Sequence, residues 1–168
     1  MEPTFRELFD EHADALLVIS FSYVKDWGTA EDIVQEVFLK HWQKREQFQQ
    51  KSSLKTYLTR VCINRSKDYL KSWRYRTQQL TNQFFVTTKQ KQALLIEEEQ
   101  NVIGQAVLSL PIELRELVLL YYYESFTYRD IATMLSIAES TVRSRLNKAK
   151  SLLKNQLPNE PWEVLLDD

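Results

Sequence analysis

Glycine is nearly missing from this chain of 168 residues, which has 2 glycines, 4 prolines and 1 cysteine. So few glycines leave little room for the left-handed backbone of tight hairpins, and too few for a loop that cradles phosphate. The single cysteine, Cys62, excludes an intrachain disulfide and fits a reducing compartment. It lies on an apolar helical segment and reads as core rather than as a nucleophile. The 2 histidines, His12 and His41, fall in separate predicted helices with no Cys or carboxylate cluster at ligand spacing, so no metal site is expected. No apolar run approaches the roughly 20 residues of a membrane span. The opening Met1-Glu2-Pro3-Thr4 is acidic where a signal peptide is basic. The chain is expected to be cytoplasmic, to hold no cofactor, and to lack a catalytic constellation.

What is plentiful is Leu, Gln, Glu, Lys and Arg, a balance that favours helices. Net charge is −1, which alone argues against nucleic acid, but the charges come in blocks. Residues 1–50 carry 5 basic and 10 acidic side chains, whereas residues 51–92 carry 10 basic and 1 acidic. The sign reverses again over 93–126, with 1 basic against 6 acidic, and once more over 127–157, with 6 against 2. The last eleven residues hold 4 acids and no base. Two basic zones set between acidic ones point to two nucleic-acid contacts with a different kind of surface between them.

Apolar residues at helical spacing (Phe5, Leu8, Phe9, Leu16, Ile19, Tyr23) predict an amphipathic helix over 4–25. Asp26-Trp27-Gly28 breaks it, and Thr29 is expected to cap a second helix with Asp32 as its capping-box partner. Ile33, Val34, Val37, Phe38 and Trp42 supply the buried side of this helix, which is expected to run to about Glu46. After a polar turn through Ser52-Ser53, a third helix is predicted from Leu54 to Tyr75, carrying Tyr57, Leu58, Val61, Tyr69 and Trp73. Residues 76–92 turn to Thr, Gln, Asn and Lys, interrupted by Phe84-Phe85-Val86, and read as a flexible linker. Ile96, Ile103, Val107 and Leu110 mark a further helix, and Pro111 opens the next, where its missing amide costs nothing. That helix is expected to reach Glu124. The fold class expected is all-α: two small helical domains, 1–75 and 93–157, joined by the linker 76–92 and followed by an acidic tail over 158–168.

The densest motif lies at 127–154. Thr127 and Asp130 make a capping-box pair, and Ile131, Ala132 and Leu135 form the inward face of a short helix. Ser136-Ile137-Ala138 is the turn, with Ile137 expected in the core and Ser136 where many such turns have glycine. Val142, Leu146, Ala149 and Leu153 then step by four, three and four, giving a second helix one apolar stripe. Arg143, Ser144, Asn147 and Lys148 lie on its other side. Two helices joined by so short a turn, the second polar and basic outward, suit the major groove. There Arg reads guanine, Asn reads adenine and Lys takes phosphate.

Over residues 5–157 the sequence resembles the extracytoplasmic-function class of bacterial sigma factors, within the sigma-70 superfamily. The resemblance is carried by Ala30-Glu31-Asp32-Ile33-Val34-Gln35-Glu36-Val37-Phe38, by Leu54-Lys55-Thr56-Tyr57-Leu58 with Asn64-Arg65 and Asp68-Tyr69-Leu70-Lys71, by Leu110-Pro111 with Arg115, and by Thr141-Val142-Arg143-Ser144-Arg145-Leu146. It implies an alternative sigma factor that binds RNA polymerase core and directs promoter-specific initiation. Asp32, Gln35, Glu36 and Phe38 would meet the clamp helices of the polymerase β′ subunit; Phe38 also stands in the buried stripe, and the sequence leaves both readings open. Leu54 and Lys55 would lie in a loop receiving an unstacked minus-ten base, with Asn64, Lys67 and Lys71 holding the non-template strand. Thr141, Arg143, Ser144, Asn147 and Lys148 would read the minus-thirty-five duplex, with Arg145 and Lys150 at phosphate or solvent. The family also implies an anti-sigma partner, often membrane-anchored. A free-standing helix-turn-helix regulator is the alternative, although the first half shows neither the strand nor the phosphoacceptor Asp of a sensing domain. A nuclease would need clustered carboxylates beside the basic track, and residues 51–92 contain only Asp68.

Overall fold

The computed structural model describes residues 3–47, 51–72, 76–77 and 98–157. All regular structure among them is helical. The chain divides into two compact units, residues 1–90 and 91–168. The linker expected over 76–92, with Phe84 and Phe85, lies outside the described residues apart from Arg76 and Thr77, as do Trp73 and the tail 158–168.

The first unit is a bundle of α1 (Phe5–Val24), α2 (Trp27–Gln43) and α3 (Leu54–Lys71), each packed on the other two. Thr4 opens α1 with a capping box: its hydroxyl accepts the Glu7 amide while the Glu7 carboxylate accepts the Thr4 amide. Lys25 closes α1 in the left-handed region, at φ 55°. The next residue, Asp26, is already the cap of α2, its carboxylate accepting the Thr29 amide at 2.9 Å and the Thr29 hydroxyl at 2.6 Å. Thr29 is thus not the cap, as the sequence predicted, and Asp32 is not its partner. One left-handed residue suffices to turn the chain, so α2 starts three positions sooner and runs through Gly28. It ends at Gln43, before a single 3₁₀ turn over Arg45–Gln47.

Leu8, Leu16 and Ile19 of α1, Ile33, Val34, Val37 and Phe38 of α2, and Leu58, Cys62 and Ile63 of α3 form the core. Burying each of the larger of these stabilises the fold by roughly 1.5–3 kcal/mol. At one end Phe5, Phe9, Phe38 and Trp42 make an aromatic cluster, with Phe9 and Phe38 centroids 4.9 Å apart and Trp42 edge-on to Phe5 at 5.5 Å. At the other end Trp27 stacks on Phe21 at 4.1 Å. Between α1 and α3 the seam is made of small residues. Ser66 donates to the Cys62 carbonyl at 2.8 Å and lies 3.1 Å from the Ser20 hydroxyl, and all three residues are fully buried. The Cys62 thiol lies 3.6 Å from the Leu16 carbonyl, and burial pushes its pKa up to about 12, so it stays a thiol and packs as core. On α3 the buried stripe is Leu58, Thr59, Cys62, Ile63 and Ser66, while Tyr57, Val61 and Tyr69 are half-buried. The helix ends at Lys71, short of the expected Tyr75.

The second unit contains α4 (Glu98–Ser109), α5 (Ile112–Val118), α6 (Tyr128–Leu135) and α7 (Glu139–Gln156). Pro111 stands at the cap of α5. The expected continuation to Glu124 occurs in a wider form: Leu119–Tyr123 make a π turn, in which the Glu124 amide donates to the Leu119 carbonyl at 2.9 Å. Leu120 and Phe126 anchor this segment in the core. Thr127 and Asp130 form the expected capping box of α6. Its inward face is Ile131, Ala132 and Met134, with Leu135 half-buried. Ser136 makes the turn at φ 55° and ψ 46°, a conformation glycine would take with less strain. Ile137 is half-buried rather than fully in the core. Val142, Leu146, Ala149 and Leu153 are all buried, as their spacing predicted.

His41 packs against Tyr57, with centroids 5.6 Å apart, and burial lowers its pKa below the ordinary 6.5 because desolvation disfavours the imidazolium. The unfolded chain therefore protonates this group first, and stability falls as pH drops through 6.5 toward the lower folded value. Urea unfolding followed by tryptophan fluorescence is expected to show an earlier midpoint at about pH 5.5 than at about pH 7.5. His41→Gln should flatten that difference; an unchanged difference in the variant would place the titrating group elsewhere.

Candidate nucleic-acid interface

The outward face of α7 is the back of its buried stripe. With Val142, Leu146, Ala149 and Leu153 inside, Arg143, Ser144, Asn147 and Lys148 are all exposed, and Thr141 and Arg145 are half-buried. Four of the five residues expected to face duplex DNA thus stand together on one side, and Thr141 sits at their edge. The Ser144 hydroxyl donates back to the Thr141 carbonyl at 3.1 Å. The Arg143 guanidinium lies 5.5 Å from the ring centre of Tyr128, and the Lys150 ammonium 5.8 Å from that of Tyr122. α6 leads into α7 through a turn of three residues, 136–138, the geometry by which a first helix steadies a second in the major groove.

In the first unit α3 presents the other basic surface. Asn64 and Lys71 are exposed opposite Cys62, Ile63 and Ser66, together with Arg60 and Asp68, and Lys67 is half-buried with its ammonium 5.8 Å from the Tyr23 ring centre. The three expected strand contacts Asn64, Lys67 and Lys71 step by three and four along this face. Leu54 and Lys55 are placed differently from the expectation. They occupy the first turn of α3 rather than a loop ahead of it, because the Ser53 hydroxyl accepts the Thr56 amide at 3.1 Å and starts the helix at Leu54. Lys55 is exposed there and Leu54 half-buried.

The acidic face belongs to α2. Asp32 and Gln35 are exposed, but Phe38 is 1% exposed, locked among Phe5, Phe9 and the core. Its assignment to a polymerase contact is therefore corrected. At 100° per residue Phe38 falls in line with the buried Val34 and His41, four and three residues away, and the apolar residue in line with Asp32, Gln35 and Glu36 is Leu39, which is 53% exposed. Leu39 was missed, although stepping four and three residues from Asp32 and Gln35–Glu36 leads to it. Glu36 is engaged within the unit: its carboxylate accepts Arg65 Nε at 2.9 Å and lies 2.6 Å from Lys40 Nζ. Partial burial raises its pKa, but the hydrogen bonds and charges of Lys40 and Arg65 together outweigh that and hold it below the ordinary carboxylate value. The Arg65 bond ties the acidic helix to the basic one.

Among the described residues no helix is long and apolar enough to cross a membrane, and no group of three or more His, Cys, Asp or Glu is placed to hold a metal ion.

Known proteins share this arrangement. Residues 8–76 match the family Sigma-70 region 2, and residues 100–153 match Sigma-70, region 4. A probable RNA polymerase sigma factor, RfaY, of Xanthomonas campestris pv. campestris is 30% identical over 154 residues, which are 86% of this chain and 38% of that protein. The ECF RNA polymerase sigma factor SigL of Mycobacterium tuberculosis is 33% identical over 155 residues, 89% of this chain and 86% of that one. Among solved structures, the sigma factor RpoE of Bartonella quintana, in complex with the anti-sigma factor NepR, shares the fold with a TM-score of 0.73 at 23% identity, covering 93% of this chain and 98% of that chain. With both units matched and nearly the full length shared with SigL, the chain belongs to the extracytoplasmic-function (ECF) family of RNA polymerase sigma factors.

Proposed function

We propose that this sigma factor docks on RNA polymerase core through the outer face of α2, holds the opened minus-ten strand on α3, and reads the minus-thirty-five duplex with α7. The observation that carries this reading is the alternation of surfaces. An acidic face with one exposed leucine, and two separate basic faces, each lie opposite a stripe that builds its unit's core. On α2 the contact set becomes Asp32, Gln35 and Leu39, with Glu36 as the tie to Arg65. An exposed leucine ringed by acid and amide suits a helical hairpin with a basic, partly apolar surface. On α3, Lys55, Asn64, Lys67 and Lys71 offer the basic track that single strands need. On α7, Arg143 and Asn147 are the base readers, Ser144 and Thr141 their short polar neighbours, and Lys148 a phosphate contact.

In this reading the chemistry of RNA synthesis belongs to the polymerase, and the chain supplies recognition and strand opening in the cytoplasm. Residues 76–92 join a DNA-melting domain over 1–75 to a duplex-reading domain over 93–157. An anti-sigma factor is its expected inhibitor, as the pairing of Bartonella RpoE with NepR supports.

Phe38 and Leu39 separate folding from docking. Phe38→Ala is expected to cost about 3–5 kcal/mol of stability in the first unit, seen as a lower thermal midpoint. Leu39→Ala should stay within about 0.5 kcal/mol of the parent and weaken binding to polymerase core by roughly tenfold, near the ~1.4 kcal/mol of a modest hot spot. Unchanged core affinity in Leu39→Ala would remove α2's outer face from the interface.

The function itself is tested by transcription with purified polymerase core on fragments of the source genome, with and without the chain. New discrete transcripts that share two upstream elements are expected. Arg143→Ala should weaken use of the upstream element by roughly 1–3 kcal/mol while leaving core binding intact. Absence of transcripts together with a specific footprint by the chain alone would instead mark a free-standing regulator.

A further inference from the structure

We infer that Tyr128, backed by Tyr121, is the positioning residue for Arg143, and that a row of three tyrosines cradles the cationic edge of α7; this rests on the reading of α7 as the duplex-reading helix. The row begins in the π turn. Tyr121 stands edge-on to Tyr122 at 4.8 Å and lies 5.0 Å from Tyr128, tilted by 36°. Both ends of the row are anchored. Leu120 and Phe126 bury the π turn in the core, and Tyr128 follows directly on Thr127, whose capping box with Asp130 sets the start of α6. Arg143 and Lys150, the two α7 cations next to these rings, are seven residues apart, two helical turns or about 10 Å along the axis. Arg143 meets Tyr128 at 5.5 Å and Lys150 meets Tyr122 at 5.8 Å, one cation on each of the two rings that flank Tyr121.

An arginine on an exposed helix face must freeze several side-chain torsions before its fork can pair with a guanine edge, and each frozen side chain subtracts from affinity. A ring beneath the guanidinium restricts it beforehand. The ring also attracts the charge through its quadrupole without consuming N–H donors. A carboxylate in the same place would occupy those donors and compete with the base; among the described residues Arg143 forms no ion pair. Tyr128 thus holds the reader in place and leaves its hydrogen bonds for DNA.

The test measures base preference rather than activity. Holoenzyme is assembled with the parent chain, Tyr128→Phe, Tyr128→Leu, Arg143→Ala and the double variant Tyr128→Leu/Arg143→Ala. Each is assayed by transcription on one responsive promoter and on its set of single base-pair substitutions across the upstream element. Ratios between promoters cancel any loss of folded protein. Arg143→Ala is expected to flatten the preference at one base pair, and Tyr128→Leu to reduce the preference at that same base pair about two- to fivefold, the size of an exposed cation–π contact. Tyr128→Phe, which keeps the ring, should retain the preference, and the double variant should be no flatter than Arg143→Ala. A Tyr128→Leu profile like the parent's overturns the inference while leaving Arg143 as a base reader. Equal, sequence-independent losses in Tyr128→Phe and Tyr128→Leu also overturn it, in favour of a hydroxyl-to-phosphate contact. If Arg143→Ala flattens nothing, the duplex-reading role of Arg143 falls first and the inference falls with it.

Discussion

Burial of one apolar stripe per helix is the constraint on which every surface of this protein depends. A helix of 3.6 residues per turn that sinks Val142, Leu146, Ala149 and Leu153 has no choice about where Arg143, Ser144, Asn147 and Lys148 go. The same holds on α3, where Leu58, Cys62, Ile63 and Ser66 commit Asn64 and Lys71 to solvent, and on α2, where Ile33, Val34, Val37 and Phe38 commit Asp32, Gln35 and Leu39. Core and interface are therefore two readings of one spacing. A substitution that slides a stripe by one residue turns the opposite face by 100° and misdirects its contacts even where the unit still folds.

Legibility in the sequence follows from this. The 4-3-4 spacing on α7 and the Thr127–Asp130 box were readable because both are local, spanning a few residues of one element. Phe38 was ambiguous because large aromatic residues suit core and interface alike, and only its angular position on α2 decides between them. The Asp26 cap was hidden because Asp26 and Thr29 are both good caps, and the choice depends on Lys25 taking the left-handed turn that lets α2 begin at once. Two features left no local signature at all. The π turn at 119–123 needs only one extra residue per turn, and Leu119-Leu120-Tyr121-Tyr122-Tyr123 suits an ordinary helix equally well. The Glu36–Arg65 bond joins residues 29 apart in sequence, beyond the reach of any single-helix periodicity.

That bond matters for how the two surfaces of the first unit coexist. An acidic face on α2 beside a basic face on α3 would attract one another's counterparts without order. Glu36 instead satisfies Arg65 and Lys40 along their shared border. Both partners are partly exposed, so the pair adds little stability, on the order of 1 kcal/mol or less. Its consequence is geometric. With Glu36 occupied, the exposed carboxylates of the first turns of α2 are those of Glu31 and Asp32, and the exposed face of α3 keeps Asn64 and Lys71.

Charge distribution also bears on why such a chain needs a larger partner. Its net charge of −1 gives no long-range pull toward DNA, and the screening length of about 8 Å at physiological ionic strength confines each basic face to its own neighbourhood. A few lysines and arginines on one helix neutralise too few phosphates for strong binding, and each base-reading side chain adds only about 1–3 kcal/mol of discrimination. Two such faces on separately folded units become a strong reader only when both are held to one stretch of DNA at once, which raises the effective concentration of the second contact after the first. A scaffold that gripped the acidic face of α2, as proposed above, would supply that condition without competing for either basic face. With docking through α2 as proposed, the acidic blocks that make the average charge look wrong for a DNA-binding protein would keep recognition conditional on the polymerase.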